Sequence, residues 1–304
     1  MFLYHKMNAD QREDWKFEAL SQILLALAEN KYIIENLVFK GALILNRYLP
    51  SPRKSLDIDS NLTNTFIRNY PRPEQQKSFL KIHIEQAISH YFEKQDPVRY
   101  ELIKLKIEHR PRAFHPHGWD GFYITVSLSD HENSGVRGLP NLTIDVAAPE
   151  TLSKYSSKKM RLGESKIVAY TLERIAGEKA RAFLSSLRTY RDKIGKLEKA
   201  IRVRDLYDLS RIARVRKLSD NAFWNIAGNE FKLSCESRFI DCVGVSSFLE
   251  EWPLAEELYK KSSTIPKDIP FKEVETFILN ISKYWEKTGI IPFSFPLKVF
   301  ASQN

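Results

Sequence analysis

Near residue 150 the hydrophobic period of this chain changes, and that change limits the folds open to it. Before it, apolar residues in several segments recur at every second position, the pattern of strands buried on one face. Beyond it they recur at three and four, the pattern of amphipathic helices. The alternating segments are 55–62 (Leu56, Ile58 and Leu62 against Asp57 and Asp59), 100–109 (Ile103, Leu105, Ile107), 122–128 (Phe122, Ile124, Val126, Leu128) and 142–146 (Leu142, Ile144 and Val146 against Thr143 and Asp145). Helices are expected at 11–29 and 74–94, and over 35–49 a short strand or helix start broken by Gly41 leads into a helical stretch ended by Pro50 and Pro52. After residue 150 no strand is expected, and helices are expected at 166–189, 196–216, 219–227, 245–261 and 270–287. Strands first and helices later predict an α+β domain followed by a C-terminal helical bundle, with the boundary at 150–165.

Charge divides along the same line. Residues 151–217 hold 19 Lys plus Arg and 7 Asp plus Glu, a net of +12, while the other 237 residues net −3. A field concentrated in this way attracts polyanions, with nucleic acid or nucleotide phosphates the usual candidates, or else marks a solvated helical surface. With 304 residues, 43% hydrophobic and 28% charged, the chain has the balance of an ordinary globular protein. No apolar run nears the roughly 20 residues that cross a bilayer. The segment Met1-Phe2-Leu3-Tyr4-His5-Lys6 has no signal-peptide pattern, and Cys235 and Cys242 cannot build a disulfide framework. The expectation is a cytoplasmic protein.

Asp57 and Asp59, two apart, point to the same face of a strand, opposite Leu56 and Ile58. Like charges held together need compensation, and paired hard carboxylates suit Mg²⁺ with phosphate oxygens and water. Asp145 lies on the non-apolar face of a later strand and is either a third ligand or an ordinary edge carboxylate. In Lys40-Gly41-Ala42 a glycine stands where strand gives way to helix, which lets backbone N–H groups approach a phosphate at a helix N-terminus. His115-Pro116-His117 reads as a loop rather than a zinc site, and no G-x-S-x-G, H-E-x-x-H or P-loop pattern occurs.

Lys40-Gly41-Ala42, fourteen-odd residues ahead of Leu56-Asp57-Ile58-Asp59, resembles the glycine-small…D-x-D signature of polymerase-β-type nucleotidyltransferases. More narrowly it resembles the AbiEii type of toxin nucleotidyltransferase, which includes the mycobacterial MenT toxins. Arg53-Lys54-Ser55 matches the basic or small residues that family places before the aspartates. The family more often has Gly or Ser where this chain has Ala42, so a backbone contact to phosphate is implied here rather than a hydroxyl contact. Thr171 to Lys179 resembles the family's helix motif ending in Glu-Lys, and Asp205-Leu206-Tyr207-Asp208-Leu209 its closing D-x-x-D-L. Four motifs in order span 40–209 and leave 1–30 and 220–304 unaccounted for.

The resemblance implies a nucleotidyltransferase-type mixed sheet with flanking helices in residues 1–160, and a helical domain in 161–304 that completes the active site. It implies an NTP donor and two Mg²⁺ ions on Asp57 and Asp59, with Asp145 a further ligand. Lys40, Gly41, Ala42, Ser55 and Lys179 would bind nucleotide; Asp57, Asp59, Lys179, Asp205 and Asp208 would be the catalytic set, with Asp205 or Asp208 orienting Lys179 or the base of the mechanism. Lys179 falls within an apolar helix stripe, where it either snorkels or meets a carboxylate partner. Lys158, Lys159, Arg161, Arg202 and Arg204, in the basic segment, are the expected RNA contacts. The implied acceptor is the 3′ end of tRNA, so that translation stops, and the implied setting is a type IV toxin–antitoxin or phage-defence pair with a cognate antitoxin. The alternatives are a catalytically inactive nucleotide- or RNA-binding module, and transfer to a protein or small-molecule hydroxyl.

Overall fold

The structure, a computed structural model, describes residues 6–111, 115, 117–196 and 200–298. The start of the chain read above for a leader, up to residue 5, lies outside the described residues, as do 197–199 in the helix expected at 196–216. In chain order the first part comprises α1 (Ala9–Glu29), α2 (Lys31–Asn36), β1 (Leu37–Lys40), α3 (Gly41–Tyr48), β2 (Ile58–Leu62), α4 (Asn64–Asn69), α5 (Pro73–Glu93), β3 (Tyr100–Arg110), β4 (Gly121–Asp130) and β5 (Leu142–Ala147). There follow β6 (Ser157–Leu162), β7 (Ser165–Tyr170), α6 (Leu172–Leu184), α7 (Arg188–Lys193), α8 (Val203–Val215), α9 (Asn221–Glu236), α10 (Val245–Leu249), α11 (Trp252–Lys261) and α12 (Phe271–Lys287).

Among the described residues, seven strands make one mixed sheet in the order β3-β4-β5-β2-β1-β7-β6. β1 pairs antiparallel with β2, and β2 pairs parallel with β5. Ile58, Ile124 and Ile144 stand side by side in this register and are buried. Asp130 continues the buried face of β4 and accepts 2.8 Å from the Trp15 indole of α1, so α1 covers that side. α5 packs on α1 and on β3. α1 begins where Asn8 and Gln11 exchange side-chain and backbone hydrogen bonds in a capping box.

Two sequence expectations fail here. Strands do not stop at 150: β6 and β7 form a hairpin that joins the sheet through β7 and β1, and α6 starts only at Leu172, capped by Thr171. β6 is an edge strand of sequence SKKMRL whose lysines protect the edge from further pairing, and that polarity hides its alternation. Ile103, expected inside, is 64% exposed, because a register shift between Leu102 and Lys104 reverses the alternation between Tyr100 and Leu105. Of the helices expected in the second part, 270–287 is met by α12, which buries the stripe Phe271, Val274, Phe277, Ile278, Ile281 and Trp285. The segment 166–189 opens as β7 and then divides into α6 and α7, while 196–216 is, among the described residues, helical only from Val203. The helix expected at 219–227 extends to Glu236, and 245–261 breaks into α10 and α11 where Glu251 turns left-handed. No helix among the described residues is long and apolar enough to cross a membrane.

Candidate active site

The middle of the sheet gathers the carboxylates. Asp59 of β2 lies opposite Lys40 of β1 on one side and Asp145 of β5 on the other. Asp57 is just ahead of β2 rather than in it, where Ser55 Oγ donates to its carboxylate at 3.2 Å. One ligand atom from each of Asp57, Asp59 and Asp145 falls within 4.8 Å of the others, the one such group of three among the described residues.

Burial, then the Asp57 charge, push the Asp59 carboxyl up to about 7, against the pull of Lys40 and Lys179. Burial and Asp57 raise Asp145 as well. Asp59 and Asp145, whose charges burial and a neighbouring carboxylate make costly, form with Asp57 a donor set that suits a hard divalent cation.

The sign of the Asp59 shift gives a test. The folded protein keeps this proton up to about pH 7, whereas the unfolded chain releases it near 3.8, so metal-free stability declines as pH rises through that window. We expect Asp59→Asn to raise the melting temperature in chelator at pH 8 and to change it little at pH 4. An equal effect at both pH values would show that Asp59 carries no such strain.

Gly41 begins α3 at φ +80, and a Cβ there would come 1.9 Å from Asp59 Oδ2. The carboxylate end would have to move, on top of a backbone strain that other residues bear poorly. Gly41→Ala is therefore expected to lower activity by about a hundredfold with a much smaller effect on the denaturation midpoint. Activity within twofold of wild type would remove Gly41 from the site.

Facing the sheet, Lys179 of α6 is buried, with Nζ 2.7 Å from Asp205 Oδ1 and 2.7 Å from Asp208 Oδ2 of α8. Burial alone would lower the lysine, but the two carboxylates outweigh it and hold Lys179 above its ordinary value. Burial likewise works against Asp205, yet Lys179 and Arg202 (2.5 Å) hold it well below the carboxylate range. Lys179 thus stays a cation and Asp205 an anion at neutral pH, so neither gives or takes a proton easily. Asp208 is met by Lys179, Arg53 at 3.0 Å and Arg211 at 3.4 Å, and not by Arg204 one turn earlier.

Between these groups lies a cleft of about 470 Å³. Asp57, Asp59, Asp145, Lys179, Asp205, Arg202, Arg204 and Ala42 line it. Among the described residues the exposed Arg204 has no hydrogen-bond or ion-pair partner, which leaves its guanidinium available. Lys40 pairs with Glu150 (3.4 Å) and Glu178 (3.6 Å) and, with Gly41, lines an adjoining hollow that shares Asp59, Lys179, Arg202 and Asp205 with the cleft. Lys158, Lys159 and Arg161 are on β6 and do not line the cleft; Lys158 lies over the Tyr48 ring and Arg161 pairs with Glu164. His115 and His117 pack on Trp119.

The sequence marks Arg53 but not its partner, and other contributors escape it altogether. Arg53 reaches Asp208 across 155 positions, a separation with no local signal. Ser262 and Thr264, after α11, line the cleft and show that the chain beyond residue 220 takes part in it.

A family model described as "Nucleotidyl transferase AbiEii toxin, Type IV TA system" matches residues 22–277. Among solved structures, a candidate nucleotidyltransferase of Helicobacter pylori is similar at TM-score 0.50 and 11% identity, over 93% of this chain and 97% of its own. JHP933 from Helicobacter pylori is similar at TM-score 0.49 and 12% identity, over 93% and 97%. An antigenic nucleotidyltransferase-like protein of Paracoccidioides brasiliensis gives 0.32 and 12%, over 69% and 79%. No curated protein matches the chain. At such identities the first of these structures speaks for the fold alone, and the family match carries the assignment. With its motifs gathered on one cleft and a family match across most of its length, this chain belongs to the AbiEii nucleotidyl transferase toxin family of type IV toxin–antitoxin systems.

Proposed function

We propose that this nucleotidyltransferase moves a nucleotide from an NTP to RNA in a Mg²⁺-dependent reaction, with the 3′ end of tRNA as acceptor and blocked translation as the consequence. The observation that carries the reading is the group of three crowded carboxylates facing Lys179, Arg202 and Arg204 across one cleft. Asp57, Asp59 and Asp145 would hold the metal. When bound, it supplies charge neutralisation at the triphosphate and a lowered pKa at the attacking hydroxyl.

The chain's own residues do the rest. Arg202 and Arg204 offer positive charge to the triphosphate within the cleft. Lys179, fixed between Asp205 and Asp208, adds a permanent cation without needing to reorganise. Asp205 and Asp208 act through Lys179 by orienting it. Gly41 and Ala42 start α3 beside Asp59, where backbone N–H groups meet an anion. The leaving group is pyrophosphate, and catalysis is positioning and charge neutralisation.

RNA as acceptor rests on the +12 segment at 151–217, which puts Arg202 and Arg204 in the cleft and Lys158, Lys159 and Arg161 on the edge hairpin. Membership of a type IV family calls for an antitoxin partner. The test is to incubate protein, Mg²⁺ and each α-labelled NTP with total tRNA, and separately with protein alone. Label on tRNA 3′ ends is expected. Label on protein would move the acceptor to a protein hydroxyl. Salt-sensitive tRNA binding without any label would leave a binding module.

A further inference from the structure

The two halves of the cleft come from distant parts of the chain. Asp59 and Asp145 belong to the sheet and Asp57 to the segment leading into it, while Lys179, Asp205 and Asp208 belong to α6 and α8. Their spacing must be set by something that touches both, and neither carboxylate triad nor lysine does so alone.

A ring of four side chains makes that connection. Arg211 of α8 is buried; its Nη1 donates to Asn46 Oδ1 of α3 at 3.2 Å and to Asp208 Oδ1 at 3.4 Å, and its Nη2 donates to the Leu49 carbonyl. Asn46 Nδ2 in turn donates to the Arg53 carbonyl at 3.0 Å. Arg53 closes the ring by gripping both Asp208 oxygens, at 3.2 and 3.0 Å. The segment held in this way, from Leu49 through Arg53, leads directly into Ser55 and Asp57. The helix that holds it is the one whose Asp205 and Asp208 fix Lys179.

We infer that Arg211 and Asn46 are positioning residues, forming with Arg53 and Asp208 a clamp that sets the distance from Asp57 to Lys179. The inference rests on the reading of this cleft as the transfer site. Neither Asn46 nor Arg211 lines the cleft, so neither touches substrate. Arg211 suits the task through its planar fork, which serves a side-chain amide, a carboxylate and a main-chain carbonyl at once; a lysine keeps the charge but not the fork. Removing Arg211 still leaves Asp208 with Lys179 and Arg53, so the buried carboxylate is not abandoned. Burial lowers the Arg211 pKa despite Asp208, as expected of a desolvated guanidinium.

The test uses the full chain as Arg211→Lys, Asn46→Ala and the double variant. Three quantities are read: Mn²⁺ binding followed by its electron paramagnetic resonance signal, kcat and KM for the NTP, and the urea midpoint. Partners that orient metal ligands typically contribute 10–100-fold in affinity or activity. We expect each single variant to lose Mn²⁺ affinity and kcat by about tenfold or more, with KM for the NTP within about twofold. The double variant should be no worse than the poorer single one, since either change opens the same ring. Mn²⁺ affinity and kcat unchanged in Arg211→Lys and Asn46→Ala would overturn the clamp. So would losses that multiply in the double variant, or losses that merely track the urea midpoint. A wild-type protein that binds no Mn²⁺ would overturn the site reading itself, a result separate from the behaviour of the variants.

Discussion

Asp57→Asn and Asp59→Asn are each expected to cut nucleotidyl transfer by about a thousandfold or more, an effect of roughly 4 kcal/mol on the transition state. Each asparagine keeps the size of its aspartate but removes one negative charge from a group of three that lie within 4.8 Å. A cation held by fewer charges binds less well, and the triphosphate then lacks its counter-charge. The fold should persist, because neither carboxylate supports the hydrophobic core. For Asp59 the metal-free protein should even gain stability above pH 7, since burial and Asp57 already make that charge costly. Loss of activity with retained or higher melting temperature is thus the specific signature. The measurement is transfer rate beside thermal denaturation of the same preparations. Rates within tenfold of wild type for both variants would remove these residues from the metal site.

Arg174→Met is expected to have the largest effect on stability, about 3–5 kcal/mol, because it strips the partner from two buried carboxylates. Arg174 is fully buried and bridges Glu150 at 2.9 Å and Glu230 at 3.1 Å. Glu150 also receives Lys40 at 3.4 Å, Arg238 at 3.3 Å and the Tyr170 hydroxyl at 3.3 Å, while Glu230 accepts from Ser153 and Ser156. This network ties the end of β1, the segment before β6, α6 and α9 into one body. α6 and α9 approach so closely that a Cβ on Gly177 would come 2.5 Å from the Phe231 backbone nitrogen. Methionine fills much of the arginine's volume, so the loss reports charge rather than a cavity. Equilibrium urea denaturation measures it, and a change under about 1 kcal/mol would mean that the remaining cations at Glu150 and the two hydroxyls at Glu230 satisfy both glutamates. Because α6 carries Lys179, activity should fall in step with the folded fraction.

How far the sequence foretells this molecule depends on whether a feature is local. Asp57 and Asp59 are two positions apart beside a hydrophobic alternation, so their proximity follows from strand geometry even though Asp57 sits just outside β2. Lys179 within an apolar helix face announces a buried partner, and Asp205 and Asp208 meet it at 2.7 Å. Asp145 joins them through strand pairing that only the folded sheet reveals, although its place opposite Leu142, Ile144 and Val146 fixes its face. The β6–β7 hairpin escapes because an edge strand rich in lysine lacks apolar content, and Ile103 misleads because a bulge shifts the period by one. Arg53, Asn46 and Arg211 act across separations of 155 and 165 residues, where no periodicity carries information. The Glu150–Arg174–Glu230 network is equally silent in sequence, since nothing local marks these charges as buried.

Transfer of a nucleotide rather than a phosphate in this cleft can be read from the fate of two labels. Parallel reactions would carry NTP labelled at the α or at the γ phosphorus, with Mg²⁺ and total tRNA, and both acceptor and small products would be followed. With nucleotidyl transfer, α label joins the acceptor while γ label appears only in pyrophosphate, and both are lost with Asp57→Asn. Gamma label on the acceptor, or release of inorganic phosphate in place of pyrophosphate, would contradict it.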